Sequence, residues 1–144
     1  MKEQNYKNHR QYVFGYHVLT FSLTVVLLAA SLYSLSASIK GHYDLRFSVM
    51  FVIAAAIFIL MFIYIRAFSL KAQDRAIRAE ENLRHFILSG KLPDRNLTMS
   101  QIIALRFASD EELKELTEKA LKNNLKGDEI KKEIKKWKAD FQRV

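Results

Sequence analysis

The sequence predicts an all-α membrane protein: a two-helix transmembrane hairpin, a second span that continues into a cytoplasmic helix, and a small C-terminal helical bundle. Three observations predict this fold class. Two long apolar runs precede Arg66, most charged residues follow it, and no alternating strand pattern appears. The predicted segments are a cytoplasmic N-terminal segment (1–10), a first span (11–39), an external link (40–46), a second span (47–65), a juxtamembrane helix (66–89) and a basic helical cytoplasmic domain (90–144).

The first apolar run carries no Asp, Glu, Lys or Arg between Gln11 and Ile39. A bilayer core of about 30 Å needs about 20 helical residues, so this run is long enough to span. A cleaved signal sequence is the alternative, with Ser36-Ala37-Ser38 as its small-residue site. The apolar region of a signal peptide is about 7–15 residues long, which favours a retained span.

The second run, Phe47 to Ile65, lies between Arg46 and Arg66 and consists almost wholly of apolar residues. Of the 23 Lys and Arg residues, three precede the first run, two lie in the link and eighteen follow from Arg66 onward. Because basic residues are retained on the cytoplasmic side, this asymmetry predicts that both termini are cytoplasmic.

Small residues mark one face of each predicted span. Ala30, Ser34 and Ser38 recur every four residues in the first, and Ala54 to Ala56 cluster in the second. Small residues let helix backbones approach closely in lipid. The pattern indicates packing of the two spans on each other, or a docking face for another protein's helix, and self-packing is favoured.

The juxtamembrane segment from Arg66 to Ser89 predicts one amphipathic helix, with ion pairs Asp74–Arg78 and Glu80–Arg84 on its polar side. Gly90 is the predicted C-cap and Pro93 prevents continuation. The predicted apolar stripe consists of Ile65, Phe68, Ala72, Ala76, Ala79, Leu83 and Phe86.

Three short helices are predicted after Pro93. Thr98 or Ser100 caps the first, and a capping box from Ser109 to Glu112 opens the second. Asn123, Asn124 and Gly127 end the second, and Asp128 begins the third. The third is predicted to align Ile130, Ile134, Trp137 and Phe141 on one face.

No motif predicts catalysis, a metal site or a cofactor. Cysteine is absent, the four histidines have no ligand spacing, and there is no phosphate-binding loop or nucleophile motif. An enzyme is therefore disfavoured. Nucleic acid is a weak candidate partner because acidic residues interrupt the basic last helix and no groove-reading motif is present.

Several segments together resemble a family of small bacterial two-span inner-membrane proteins classed as a domain of unknown function. They are Asn5-Tyr6, Asn8-His9-Arg10, Tyr16-His17, Ala67 to Arg75 with Ile77-Arg78, Ala104 to Asp110, Ile130-Lys131, Ile134-Lys135, Trp137, Asp140 and Arg143. The resemblance implies the same arrangement of spans and tail, and supplies no activity. The family pattern has a proline near Val13-Phe14 that this chain lacks, so we expect the first helix to start earlier here.

Three functions are consistent with these features. The first is an accessory or scaffold subunit that contacts a membrane-protein partner or further copies of itself. Its candidate partner-binding residues are His9, Arg10, His17, Gln73, Asp74, Arg75 and Arg78. The second is a membrane-anchored tail that binds anionic lipid through Lys131, Lys132, Lys135, Lys136 and Trp137. The third is a membrane enzyme that uses a His/Asp/Arg cluster at the cytoplasmic face.

Overall fold

The computed structural model describes residues 3–140, and within them every regular element is a helix. A short π-helical segment, Gly15–Thr20, leads into α1, Phe21–Ile39. The remaining helices are α2 (Leu45–Ser89), α3 (Met99–Leu105), α4 (Asp110–Lys122) and α5 (Gly127–Glu133). The first helical segment begins at Gly15, within the charge-free run.

The chain divides into two compact units. The two-helix unit comprises Tyr12–Ser69, and the terminal unit comprises the described parts of Met1–Gln11 and Leu70–Val144. The N-terminal segment was predicted as a separate stretch. The structure places it in the same unit as the tail.

In the two-helix unit, both helices are long and apolar enough to cross a membrane. Only 6% and 11% of their most apolar windows are buried, so they do not resemble core helices of a soluble protein. Most of their large apolar side chains are exposed and the others are half-buried. That surface suits a hydrocarbon environment, where backbone groups are satisfied within each helix and side chains face lipid.

Serine hydroxyls join the two helices of this unit at one end. Ser48 of α2 is 1% exposed, and its Oγ lies 2.8 Å from Ser34 Oγ and 2.6 Å from Ser38 Oγ of α1. At the other end, the Tyr16 hydroxyl donates to the Phe62 carbonyl and the two rings stack with centroids 4.4 Å apart. Ser34 and Ser38 of the small-residue face thus contact α2 within the chain, whereas Ala30 of that face is exposed.

The second long helix continues without interruption from Leu45 to Ser89, as the absence of turn residues after Ile65 predicts. It ends at Gly90, where a φ of +70° requires the left-handed region that glycine tolerates best. The Gly90 amide donates to the Phe86 carbonyl at 2.8 Å. The predicted C-cap is therefore confirmed.

A hydrophobic core holds α3, α4 and α5 together in the terminal unit. Phe107 and Ile130 are its largest fully buried apolar side chains, and Ile77 joins it from α2. Thr98 caps α3 with a reciprocal capping box: its Oγ1 accepts from the Gln101 amide, and Gln101 Oε1 accepts from the Thr98 amide. The predicted small helical bundle is thus present in the described residues.

Two predicted features of this unit are wrong. Ser109 begins α4 without a side-chain capping bond, because Glu112 instead accepts the backbone amides of Lys135 and Lys136 at 3.1–3.3 Å. The last helix begins at Gly127 rather than Asp128, and it ends at Glu133 because Ile134 is extended.

The predicted helical face of Ile130, Ile134, Trp137 and Phe141 therefore does not form. Trp137 lies in an extended segment that pairs antiparallel with Ala108, supported by the bonds Ser109 N to Lys136 O and Lys138 N to Phe107 O. Phe141 lies outside the described residues.

Candidate interaction surface

The part of α2 in the terminal unit has a packed face and an exposed face. Ile77 is 6% exposed and belongs to the core, while Glu81 and Arg84 are half-buried beside it. Arg84 donates to Glu81 at 3.1 Å, to Asp110 of α4 at 2.7 Å and to the Ala108 carbonyl at 2.7 Å. One guanidinium thus joins α2 to the segment where α4 begins.

These contacts differ from the ion pairs that i,i+4 spacing predicts. Among the described residues, no ion pair joins Asp74 to Arg78 or Glu80 to Arg84, because Arg84 turns toward Glu81 and Asp110 instead. Packing against α4 determines which carboxylates Arg84 meets, and spacing along one helix carries no information about that.

The opposite face of α2 is apolar and exposed. Leu83 is 60% exposed and Phe86 is 51% exposed, although both belong to the predicted apolar stripe. The smaller members of the stripe on this part of the helix are exposed as well. We call this set of residues the α2 stripe: Ala72, Ala76, Ala79, Leu83 and Phe86.

Charged residues border the α2 stripe with opposite sign on its two sides. At about 100° per residue, Arg75 falls along one edge and Glu80 along the other, while Lys71 and Arg78 lie farther round the helix on the Arg75 side. All four are exposed. An open groove of about 340 Å³ lies on the Glu80 side, between α2, the start of α4 and the extended segment after α5. Its lining residues are Glu80, Leu83, Arg84, Ile87, Leu88, Asp110 and Lys138.

The structure places His9 inside the terminal unit. Its side chain is 8% exposed and contacts Tyr6, Phe107 and Trp137, with ring centroids 5.8–5.9 Å away. Lys131 Nζ lies 3.3 Å from His9 Nε2. His9 therefore completes an aromatic cluster of the core.

The other predicted partner-binding residues are dispersed. His17 belongs to the two-helix unit, where its ring stacks on Tyr12 at 4.7 Å and its Nδ1 lies 3.0 Å from the Val13 carbonyl oxygen. Arg10, Arg75 and Arg78 are exposed, and Gln73 and Asp74 are half-buried. No hydrogen bond within residues 3–140 joins His9 to Asp74, Arg75 or Arg78, so their shared role stays a prediction.

The residues predicted to bind lipid occupy different environments. Trp137 packs on Phe107 with centroids 5.2 Å apart, and the Lys131 side chain is 15% exposed. Lys136 forms an ion pair with Glu111, whose hydrogen bond and charge raise the pKa of that ammonium group. Lys132 lies over the Tyr6 ring at 5.8 Å, and Lys135 is exposed.

A second open cavity of about 480 Å³ adjoins α5 in the same unit. Its lining mixes Asp74, Asp128 and Glu129 with Lys126 and Lys131. Charges of both signs surround it without a dominant potential. Within the described part of the chain, no group of three His, Cys, Asp or Glu residues is arranged to hold a metal ion.

Comparison with known proteins decides the family. The model of a family of unknown function, DUF6526, matches residues 1–144. The chain belongs to the DUF6526 family. The resemblance to an uncharacterised family is thereby confirmed over the whole chain. No curated protein and no solved structure matches this DUF6526 chain significantly.

Two features were not predicted: the packing of the N-terminal segment, where Gln4 Oε1 accepts the Asp140 amide at 2.7 Å and His9 is buried, and the outward orientation of the α2 stripe. The sequence shows the stripe clearly, but periodicity alone does not distinguish a face that packs inside a chain from one that packs on a partner. The asparagines and aromatic residues before Gln11 were the available signal that the N-terminal segment folds.

Proposed function

We propose that this DUF6526 protein is an accessory or scaffold subunit of an inner-membrane assembly and acts through protein–protein contact. The observation that carries the proposal is the α2 stripe. Its helix is anchored to the core through Ile77 and Arg84 on one face, yet Leu83 and Phe86 are exposed on the other. A rigidly held apolar face is a typical docking surface, because little ordering entropy remains to be lost on binding.

Membrane placement follows from the two apolar helices and the basic residues that flank them. Two crossings return the chain to its original side. The packing of Gln4 and His9 against Asp140 and Trp137 requires that residues 3–11 and 70–140 share a compartment, which supports an even number of crossings. The positive-inside rule makes that compartment the cytoplasm.

The test is the size of the native complex. Full-length protein is extracted into lipid nanodiscs and its mass measured for wild type, Leu83→Glu and Leu92→Glu. Leu92 is 67% exposed but lies outside the α2 stripe, so Leu92→Glu controls for the added charge. We expect wild type and Leu92→Glu in an assembly heavier than the 16.8 kDa chain, and Leu83→Glu as single chains.

The comparison requires that wild type and both variants insert into membranes in equal amounts. A wild-type protein that is monomeric throughout would overturn the proposal. An assembly that Leu83→Glu leaves intact would show that the contact lies elsewhere than the α2 stripe.

A further inference from the structure

We infer that the partner on the α2 stripe is a second copy of this chain, with the two α2 helices parallel and related by a twofold axis. The inference rests on the proposed function and names the occupant of that surface. Three features of the described residues carry it: the spacing of the stripe, the size of its side chains and the charge of its edges.

The spacing matches helix-on-helix packing. Ala72, Ala79 and Phe86 recur every seven residues, and Ala76 and Leu83 recur with the same interval beside them. A seven-residue repeat keeps one seam of a helix directed at a neighbouring helix along its whole length. A helix at a lipid surface has the same spacing over two turns, so the size and the charge of the side chains distinguish the two cases.

The side chains of the α2 stripe become larger toward the C-terminal end of the helix. Alanine occupies the first three positions of the α2 stripe, and Leu83 and Phe86 occupy the last two. In a parallel pair, alanines face alanines and the helices approach closely there, while the large residues pack together farther along. In an antiparallel pair, Phe86 and Leu83 would each face alanines.

The charged edges also favour the parallel arrangement. Arg75 borders one side of the stripe and Glu80 the other, and both are exposed. In a parallel twofold pair the basic edge of one helix faces the acidic edge of its partner. In an antiparallel pair each edge faces its own copy, which brings Lys71, Arg75 and Arg78 against like charges. Copies inserted in the same orientation in one membrane have parallel α2 helices.

Disulfide cross-linking tests both the partner and its direction, because the natural chain has no cysteine. Single variants Ala72→Cys, Ala79→Cys and Phe86→Cys are oxidised in native membranes. Cysteines pair when their Cα atoms lie about 4.4–6.8 Å apart. In a parallel twofold pair, equal positions meet, so all three variants should give a product of twice the 16.8 kDa chain mass. The exposed α4 positions Lys114→Cys and Glu118→Cys are controls and should remain monomeric.

An antiparallel pair would join equal positions only near its centre, so cross-linking at Ala79→Cys alone would overturn the parallel arrangement. A product whose added mass differs from that of the chain would overturn self-association but leave the proposed function intact. Absence of any product in a protein that is also monomeric in nanodiscs would overturn both.

A charge exchange provides an independent measurement. In the Ala79→Cys background, Arg75→Glu or Glu80→Arg should each slow cross-linking about threefold, as expected for exposed ion pairs. The double variant restores opposite charges across the twofold axis and should recover the original rate. Equal slowing in the double variant would contradict the proposed pairing of the two edges.

Discussion

Gly127 shows how one residue without a side chain sets the spacing of two helices. It is the first residue of α5 and is buried against Ser100 of α3. A Cβ atom at this position would lie 2.6 Å from Ser100 Oγ and 2.8 Å from the Ser100 carbonyl oxygen. Glycine is required here by the close approach of another backbone.

We predict that Gly127→Ala lowers the free energy of unfolding of the terminal unit by about 1–3 kcal/mol, the usual cost of overpacking. The Ser100 side chain can rotate away, but its carbonyl oxygen cannot move without shifting α3. Thermal unfolding of the detergent-solubilised protein measures the effect. Gly15→Ala is the control, because nothing lies within 4 Å of a Cβ there. Equal melting temperatures for the two variants would contradict the prediction.

The sequence predicted helix caps correctly where the capping residue and its hydrogen-bond partner are close together in the chain. Thr98 and Gln101 are three residues apart, and Gly90 follows its helix directly, so both caps depend on nearby atoms alone. Ser109 and Glu112 have the same spacing, but Glu112 bonds amides more than twenty residues away. Local sequence spacing does not show that backbone amides far along the chain will bind the Glu112 carboxylate.

At the scale of elements, the extended segment after α5 replaces a predicted helical turn. Its amides at Lys135 and Lys136 both donate to the Glu112 carboxylate, and its backbone pairs with Phe107 and Ser109. These bonds compensate for the helical bonds that the segment forgoes. They also position Trp137 against the core.

We predict that Glu112→Ala destabilises the terminal unit by about 1–3 kcal/mol, because two amides lose a charged acceptor. The neighbouring Glu111→Ala is the matched control. Glu111 makes an exposed ion pair with Lys136, and such pairs contribute little. Urea unfolding followed by Trp137 fluorescence compares the two variants, and an equal effect of both would refute the role assigned to Glu112.

Periodicity located the apolar face of α2 but did not predict which face of the helix packs on the core. The sequence predicts that the apolar face of this helix is buried in a helical bundle, against a partner or at the membrane surface, and the structure buries Ile77 on the other face, beside Arg84. Burial of Arg84 is acceptable because Glu81, Asp110 and the Ala108 carbonyl all accept from it. Those acceptors become neighbours only after α4 has packed.

At the scale of the molecule, the two ends of the described chain form one folded body. Gln4 Oε1 accepts the Asp140 amide at 2.7 Å, across a separation of 136 residues. Asp140 also bonds Arg106 at 3.1 Å, and Arg106 is 8% exposed. No sequence pattern reaches across so many residues, so this contact could not be predicted from a single chain.

We predict that the link between α1 and α2 is external and the terminal unit cytoplasmic. His42→Cys should react with a membrane-impermeant maleimide in intact spheroplasts, whereas Lys122→Cys should react only after lysis. Asp44, two residues after His42, is paired with Arg46, which lowers the pKa of the Asp44 carboxyl. Labelling of Lys122→Cys in intact spheroplasts would reverse the proposed orientation.

The contact between Gln4 and Asp140 also has a consequence for biosynthesis. The ribosome makes Gln4 and His9 before either apolar helix, and it makes Trp137 and Asp140 after both. The core around Phe107 therefore remains incomplete until translation has passed α5. In the proposed placement with two membrane crossings, a chain that inserts only one of its apolar helices would leave Gln4 and Asp140 on opposite sides of the membrane, and the core could not close. Completion of the fold would then report correct insertion.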